Sequence, residues 1–125
     1  MLWAGTNTAF FFLLRASEWC AHDGAPPDLR KIIAGDDVTL REDEGYVTIR
    51  IRGSKTDQLN AGDVRNHFRS GARVCVVRAL AALRARFPER FGDGAEAHLP
   101  VFRWAGGAAV TRTQLQEWLR RAALA

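Results

Sequence analysis

Apolar residues near the amino-terminal end of the chain predict a helix that is buried on every side. The run AFFFLL at Ala9–Leu14 contains no polar residue, so it covers all faces of a helix when successive residues are turned by about 100°. We expect this helix to span Leu2–Ala21. The next segment, HDGAPPD at 22–28, ends it, because proline cannot continue a helix. Without packing neighbours, such a helix leaves an apolar patch on the surface.

The period of the pattern then changes from that of a helix to that of strands. Apolar and polar residues alternate in DVTLRED and again in YVTIRIR, which predicts two half-buried strands. The DEG segment at 43–45 lies between them and contains a glycine suited to a tight turn, so we expect an antiparallel hairpin. A third, weaker strand is predicted around Val64–Arg69.

Helical spacing returns in the second half of the chain. An apolar stripe predicts a helix from about Ala72 to Phe87, which Pro88 ends. Thr111 and Gln114 have the spacing of a capping box, which predicts the start of a last helix. The order of elements predicts one domain over residues 1–125 of the α+β class, mainly helical with a small antiparallel three-stranded β-meander.

Composition narrows the class of protein further. The 125 residues are 47% hydrophobic, and 18 Lys and Arg against 14 Asp and Glu give a net charge of +4, which suits a polyanionic partner. Cys20 and Cys75 lie far apart, so we expect reduced thiols in an intracellular protein, cytoplasmic or nuclear according to the host. No residue spacing indicates a metal or a cofactor. The apolar run is too short to cross a bilayer, so no membrane partner is expected.

Arg15 and Glu18 form the first candidate site. A guanidinium at the end of a buried helix needs an anionic partner, and Glu18 lies three residues further along the predicted helix. One carboxylate does not use all five donors of Arg15, which leaves the guanidinium able to hold a phosphodiester. The alternative is an ordinary solvated ion pair.

Lys55 is the second candidate. It lies in RGSKTDQ at 52–58, which leaves the second predicted strand and enters a turn. A lysine at a hairpin tip carries a mobile charge that can reach a phosphate or deliver a proton to a leaving oxygen. The alternative is a solvated loop residue.

Taken together, these motifs resemble a known family. FFLLRASEW, then a hairpin with SKTDQ, then VCVVRAL and TRTQLQEWLRRA resemble the first part of the catalytic domain of tyrosine recombinases, the phage integrase family. The resemblance implies that Arg15 grips the scissile phosphate, that Glu18 supports it, and that Lys55 contacts DNA beside the cut and protonates the departing 5′ oxygen. The DNA-contacting residues that it implies are Arg15, Arg52, Lys55, Thr56 and Gln58.

The resemblance also implies a reaction and its partners. Such enzymes use no metal and no cofactor: a tyrosine attacks the phosphorus of double-stranded DNA and forms a 3′-phosphotyrosyl link, and the complete proteins associate with one another on DNA. The His-x-x-Arg helix and the nucleophilic tyrosine of the family have no counterpart here. Tyr46 is the only tyrosine and precedes Lys55, and His22, His67 and His98 are expected in loops or on the surface. We therefore expect a fragment that binds DNA without cleaving it.

Two other classes of function stay open at this point. One is a non-catalytic DNA-binding module or an inactive mobile-element remnant, whose phosphate contacts are Arg50, Arg52, Lys55, Arg65 and Arg69. The other is an interaction domain unrelated to nucleic acid. The four tryptophans are expected to be core anchors, and the basic segment at 82–90 to be a solvated helix end.

Overall fold

The computed structural model describes residues 1–52 and 62–124 of the chain. These residues contain three α-helices and a three-stranded antiparallel sheet, which confirms the predicted α+β class. In chain order the elements are α1 (Leu2–Phe12), β1 (Val38–Arg41), β2 (Tyr46–Ile51), β3 (Asp63–Phe68), α2 (Val76–Arg86) and α3 (Arg112–Leu124). No helix within the described ranges is long and apolar enough to cross a membrane.

The sheet has the predicted hairpin and the predicted third strand. Its strand order is β1-β2-β3, and both pairs are antiparallel. Arg41 pairs with Tyr46 across the DEG segment, where Gly45 has a φ of 75° that residues with a side chain rarely adopt. On β2, Val47 and Ile49 are fully buried, which confirms that one face of the alternating pattern points into the core.

The core lies between this face of the sheet and the first two helices. Helix α2 packs against both α1 and the sheet. Phe12 of α1, Ile49 of β2, Leu80 of α2 and Phe102 in the segment after α2 are each at most 1% exposed and meet in one cluster. Burial of each such side chain stabilises the fold by about 1.5–3 kcal/mol.

The prediction of one helix over Leu2–Ala21 is wrong, because α1 ends at Phe12. Leu13 adopts a left-handed conformation with φ 53° and ψ 44°, and a short 3₁₀ segment at Ala16–Glu18 follows. The reason is the packing of Trp19 on the middle of α1, where a Cβ added to Gly5 would lie 2.5 Å from the indole ring. A straight helix would separate these two residues by about 21 Å along its axis, so the chain must turn back.

Helix α1 is also less buried than its composition predicts. Phe12 faces the core, but Trp3, Phe10 and Leu13 are 52%, 68% and 82% exposed. In the described part of the fold, other elements pack against one side of α1 only. The opposite side is the apolar surface patch that the sequence leads us to expect.

The other two helices begin as follows. Helix α2 starts at Val76, somewhat after the predicted position, and its apolar stripe is buried as expected. The capping box of α3 is confirmed: the Thr111 N–H donates to Gln114 Oε1 at 3.0 Å, and the Gln114 N–H donates to Thr111 Oγ1 at 3.2 Å. Helix α3 contributes no buried residue to the fold.

Arg90 departs from the prediction that the 82–90 segment is a solvated helix end, whereas Arg86 and Glu89 are exposed as predicted. Its side chain is buried, and its guanidinium donates to the carbonyls of Arg103 at 2.7 Å and Trp104 at 3.0 Å. The guanidinium carbon lies 3.8 Å from the centre of the Phe87 ring. Burial lowers the pKa of Arg90, and the charge of Arg103 acts in the same direction. Of the four tryptophans, only Trp19 is fully buried.

Asp37 forms the principal ion-pair network of the described residues. Its buried carboxylate accepts the Ala34 N–H at 2.9 Å, Arg50 Nη2 at 2.8 Å and Arg52 Nε at 2.6 Å. Arg52 also donates to exposed Asp36 at 3.0 Å. Arg50 lies on the outer face of β2 and Arg52 directly follows this strand, so the network attaches the segment before β1 to the sheet.

We predict that Asp37→Ala destabilises the fold by roughly 2–4 kcal/mol, because it leaves two guanidiniums without their shared carboxylate. The loss is below that of a fully buried pair, since the Arg50 side chain is 54% exposed and water takes part of its hydrogen bonding. Urea unfolding followed by circular dichroism measures the change. Asp36→Ala is the matched control and should cost at most about 1 kcal/mol; equal losses would contradict the role given to Asp37.

The two cysteines are unpaired, and their environments differ. Burial raises the pKa of the Cys20 thiol to about 12. Burial is also the largest influence on Cys75 and opposes its ionisation. Hydrogen bonds from the main-chain N–H groups of Arg78, Ser70 and Val77 and from the Ser70 hydroxyl outweigh it, so the pKa of Cys75 is lowered.

Alkylation should therefore distinguish the two thiols. We predict that iodoacetamide at about pH 8 modifies Cys75 at least about tenfold faster than Cys20, because the pKa of Cys75 is lowered, the pKa of Cys20 is raised, and Cys75 lines an open cavity. Peptide mass spectrometry over time gives both rates. Cys75→Ser should remove the fast phase, and equal rates in the unmodified chain would contradict this assignment.

Candidate nucleic-acid interface

Arg15 lies on the surface between the left-handed turn at Leu13 and the 3₁₀ segment. Its backbone is extended, with φ −75° and ψ 154°, and its side chain is exposed. Within the described residues, the guanidinium makes neither a hydrogen bond nor an ion pair. As far as the described residues are concerned, all five donors of Arg15 are therefore open to a ligand.

Glu18 plays a different part from the one that the sequence predicts. Its side chain is buried, and Oε2 accepts the main-chain N–H of Arg15 at 2.9 Å instead of pairing with the guanidinium. The Glu18 N–H in turn donates to the Arg15 carbonyl at 2.9 Å. The predicted side-chain ion pair is replaced by a cap because the helix ends before Arg15. Glu18 thus holds the backbone of Arg15 and leaves its charge free.

The edge strand of the sheet meets the chain close to this turn. Arg65 of β3 donates through Nη1 to the Phe12 carbonyl at 3.1 Å, and through Nε to Asp63 at 2.9 Å. Asp63 is also where the β2–β3 connection enters β3, opposite Ile51. The base of that connection therefore lies on the same side of the fold as the end of α1. The predicted contacts Lys55, Thr56 and Gln58 belong to this connection and lie outside the described residues.

Arg52 is engaged within the protein. Besides Asp36 and Asp37, it donates from Nη1 to the Leu29 carbonyl at 2.9 Å, so a phosphate contact would compete with three internal hydrogen bonds. Three further arginines considered for phosphate contacts are also engaged: Arg50 with Asp37, Arg65 with Asp63, and Arg69 with the Glu42 carbonyl. Among these arginines, Arg15 alone has no partner in the described part of the chain.

The histidines and the tyrosine occupy structural or peripheral positions. The prediction for His67 is wrong: it lies in β3, half-buried, with its ring 4.6 Å from that of Phe12. His22 and His98 are exposed and outside the helices and strands, as predicted. Tyr46 begins β2 and packs on Phe68, with 5.5 Å between ring centres. No group of residues in the described ranges is arranged to hold a metal ion.

The sequence did not lead us to Asp37, whose carboxylate binds Arg50 and Arg52, or to the buried guanidinium of Arg90. The signal for Asp37 was present: GDD directly precedes a strand, and Arg50 and Arg52 alternate on one face of the next. Arg90 gave no such signal, because its partners are backbone carbonyls that only the folded chain brings to it.

Comparison of the chain with protein-family models, with curated proteins and with solved structures finds no match in any of the three. The resemblance to tyrosine recombinases therefore rests on the motif residues of this chain alone.

The separate roles of Arg15 and Glu18 predict unequal effects of their substitutions on the free energy of unfolding. Glu18→Ala should cost about 1–2 kcal/mol, because it removes a buried cap from the Arg15 N–H. Arg15→Ala should change stability by less than about 0.5 kcal/mol, since its side chain makes no internal contact of this kind. Urea unfolding of both variants measures the difference. A large loss in Arg15→Ala would show that its guanidinium is structural.

Proposed function

We propose that this chain is the DNA-binding part of a catalytic domain of the tyrosine recombinase type, in which Arg15 holds a backbone phosphate of double-stranded DNA. The observation that carries the proposal is the exposed guanidinium of Arg15, which has no internal partner in the described residues while the backbone beneath it is fixed by Glu18. A guanidinium fork held in this way suits bidentate binding of a phosphate.

Lys55 belongs to the same proposed site through the resemblance. The described ends of the β2–β3 connection lie beside the chain that leads from α1 to Arg15, which supports a shared site. Two cations on one phosphate would stabilise the negative charge of its oxygens, and Lys55 would supply the proton to the departing 5′ oxygen in a complete enzyme. Thr56 and Gln58 would contact DNA next to it.

The residues of this chain support binding and not strand cleavage. The only tyrosine in the sequence, Tyr46, lies at the start of β2 against the Phe68 ring and on a different element from Arg15. DNA recombination and integration, with self-association on DNA, would be properties of a complete protein that contains the nucleophile. The packing of Tyr46 equally suits the alternative, a non-catalytic DNA-binding module or an inactive mobile-element remnant.

Duplex binding across a salt series tests this proposal. We predict that a fluorescein-labelled duplex binds the chain with an affinity that falls steeply with salt, and that Arg15→Ala with Lys55→Ala reduces the salt dependence by about two phosphate contacts. Fluorescence anisotropy gives the dissociation constants. Arg120→Ala with Arg121→Ala removes two exposed charges from α3 and serves as the control.

Two outcomes would contradict the proposal. Binding that is absent at low salt, or that falls equally in both double variants, would show that Arg15 and Lys55 hold no phosphate. A covalent protein–DNA product on a denaturing gel would contradict the absence of cleavage, and its loss in Tyr46→Phe would identify the nucleophile.

A further inference from the structure

A groove between α1 and α2 lies away from Arg15. Two cavities form it, one of about 560 Å³ and one of about 320 Å³. Both are lined by Trp3, Ala79 and Ala82, so they adjoin on either side of the Trp3 side chain. Trp3 lies at the first turn of α1, whereas Arg15 follows its last, and a helix of this length is about 16 Å long. We call this feature the α1–α2 groove.

The walls of the α1–α2 groove are positively charged. Arg73 and Arg78 line the larger cavity, and Arg86 lines the smaller one. None of the three makes an ion pair with a described residue, and no Asp or Glu is among the described residues that line either cavity. An uncompensated cluster of this kind attracts anions. Arg78 and Arg86 are about 12 Å apart along α2, so a ligand that reaches both must carry separated negative charges.

The floor of the groove is aromatic. Trp3 is 52% exposed, and Phe87 and Trp104 line the smaller cavity. Trp104 is held in place because its Nε1 donates to Gln114 Oε1 at 2.9 Å. The small side chains of Ala79 and Ala82 leave room for a flat group beside Trp3. An exposed aromatic ring between unpaired arginines is the combination that binds single strands, through base stacking and phosphate contacts.

We propose that the α1–α2 groove binds single-stranded nucleic acid, with a base stacked on Trp3 and with Arg78 and Arg86 on separate phosphates. The bases of an intact duplex are stacked on one another and do not present their faces to Trp3, so the groove differs in ligand from the proposed duplex site at Arg15. An acidic peptide would match the arginines but would leave the aromatic floor unused.

Binding of a fluorescein-labelled ten-nucleotide oligothymidylate to the full chain, followed by anisotropy at low salt, tests this proposal. Arg78→Glu with Arg86→Glu should weaken binding at least about tenfold, since it reverses the charge of both phosphate contacts. Arg120→Glu with Arg121→Glu makes the same change of net charge on α3 and should weaken binding at most about threefold. Trp3→Ala should weaken it at least about fivefold, whereas Trp3→Phe should retain most of the affinity.

An abasic oligonucleotide of the same length separates stacking from charge. It carries the same phosphates without bases, so the groove should bind it at least about tenfold more weakly than oligothymidylate. Equal affinity for both, equal displacement by polyglutamate, equal effects of the two charge-reversal pairs, or absence of binding would each overturn the proposal. Circular dichroism of every variant verifies that the fold is retained.

The test is independent of the proposed duplex site. Arg15→Ala with Lys55→Ala should weaken oligothymidylate binding at most about threefold, and Arg78→Glu with Arg86→Glu should retain most of the duplex binding. If the chain binds only the duplex, the assignment of the α1–α2 groove is wrong. If it binds only oligothymidylate, the assignment of Arg15 and Lys55 is wrong.

Discussion

The rest of the structure depends on the buried carboxylate of Asp37. A carboxylate removed from water needs compensating donors, and Arg50 of β2, Arg52 directly after β2 and the Ala34 N–H supply them. The same segment donates from Gly35 to the Leu99 carbonyl at 3.2 Å and accepts the Val101 N–H at Ile33. The network thus joins the sheet to two long segments that contain only short 3₁₀ turns and isolated β-bridges.

This use of charge separates the arginines into two groups. Arg50 and Arg52 compensate Asp37, and Arg90 holds the carbonyls of the segment after α2, so their positive charge serves the fold. Arg15 and Arg78 keep their donors free of carboxylates within the described residues. Two places where positive charge can meet an external anion therefore lie near the two ends of α1, although the net charge of the whole chain is only +4.

The turn at Leu13 connects the packing of the core with the candidate site. Trp19 must reach Gly5 to be buried, so the chain leaves the helix and reverses direction within a few residues. Arg15 lies in this reversal. Because it has an extended backbone instead of a helical one, the carboxylate of Glu18 reaches its main-chain N–H, and the guanidinium remains on the surface. Burial of the Trp19 ring thus determines the position of Arg15 and leaves its guanidinium accessible to a ligand.

The local pattern of the sequence was sufficient for the elements whose geometry is local. Alternation predicted the β1–β2 hairpin, a glycine predicted its turn, and the Thr111–Gln114 spacing predicted the cap of α3, because each depends on residues close in the chain. It was not sufficient for the end of α1, for buried Arg90 or for the bonds of Arg52. Those depend on groups far apart in sequence, which only the folded chain brings into contact: the Gly5 surface for Trp19, backbone carbonyls for Arg90, and the Asp37 carboxylate for Arg52.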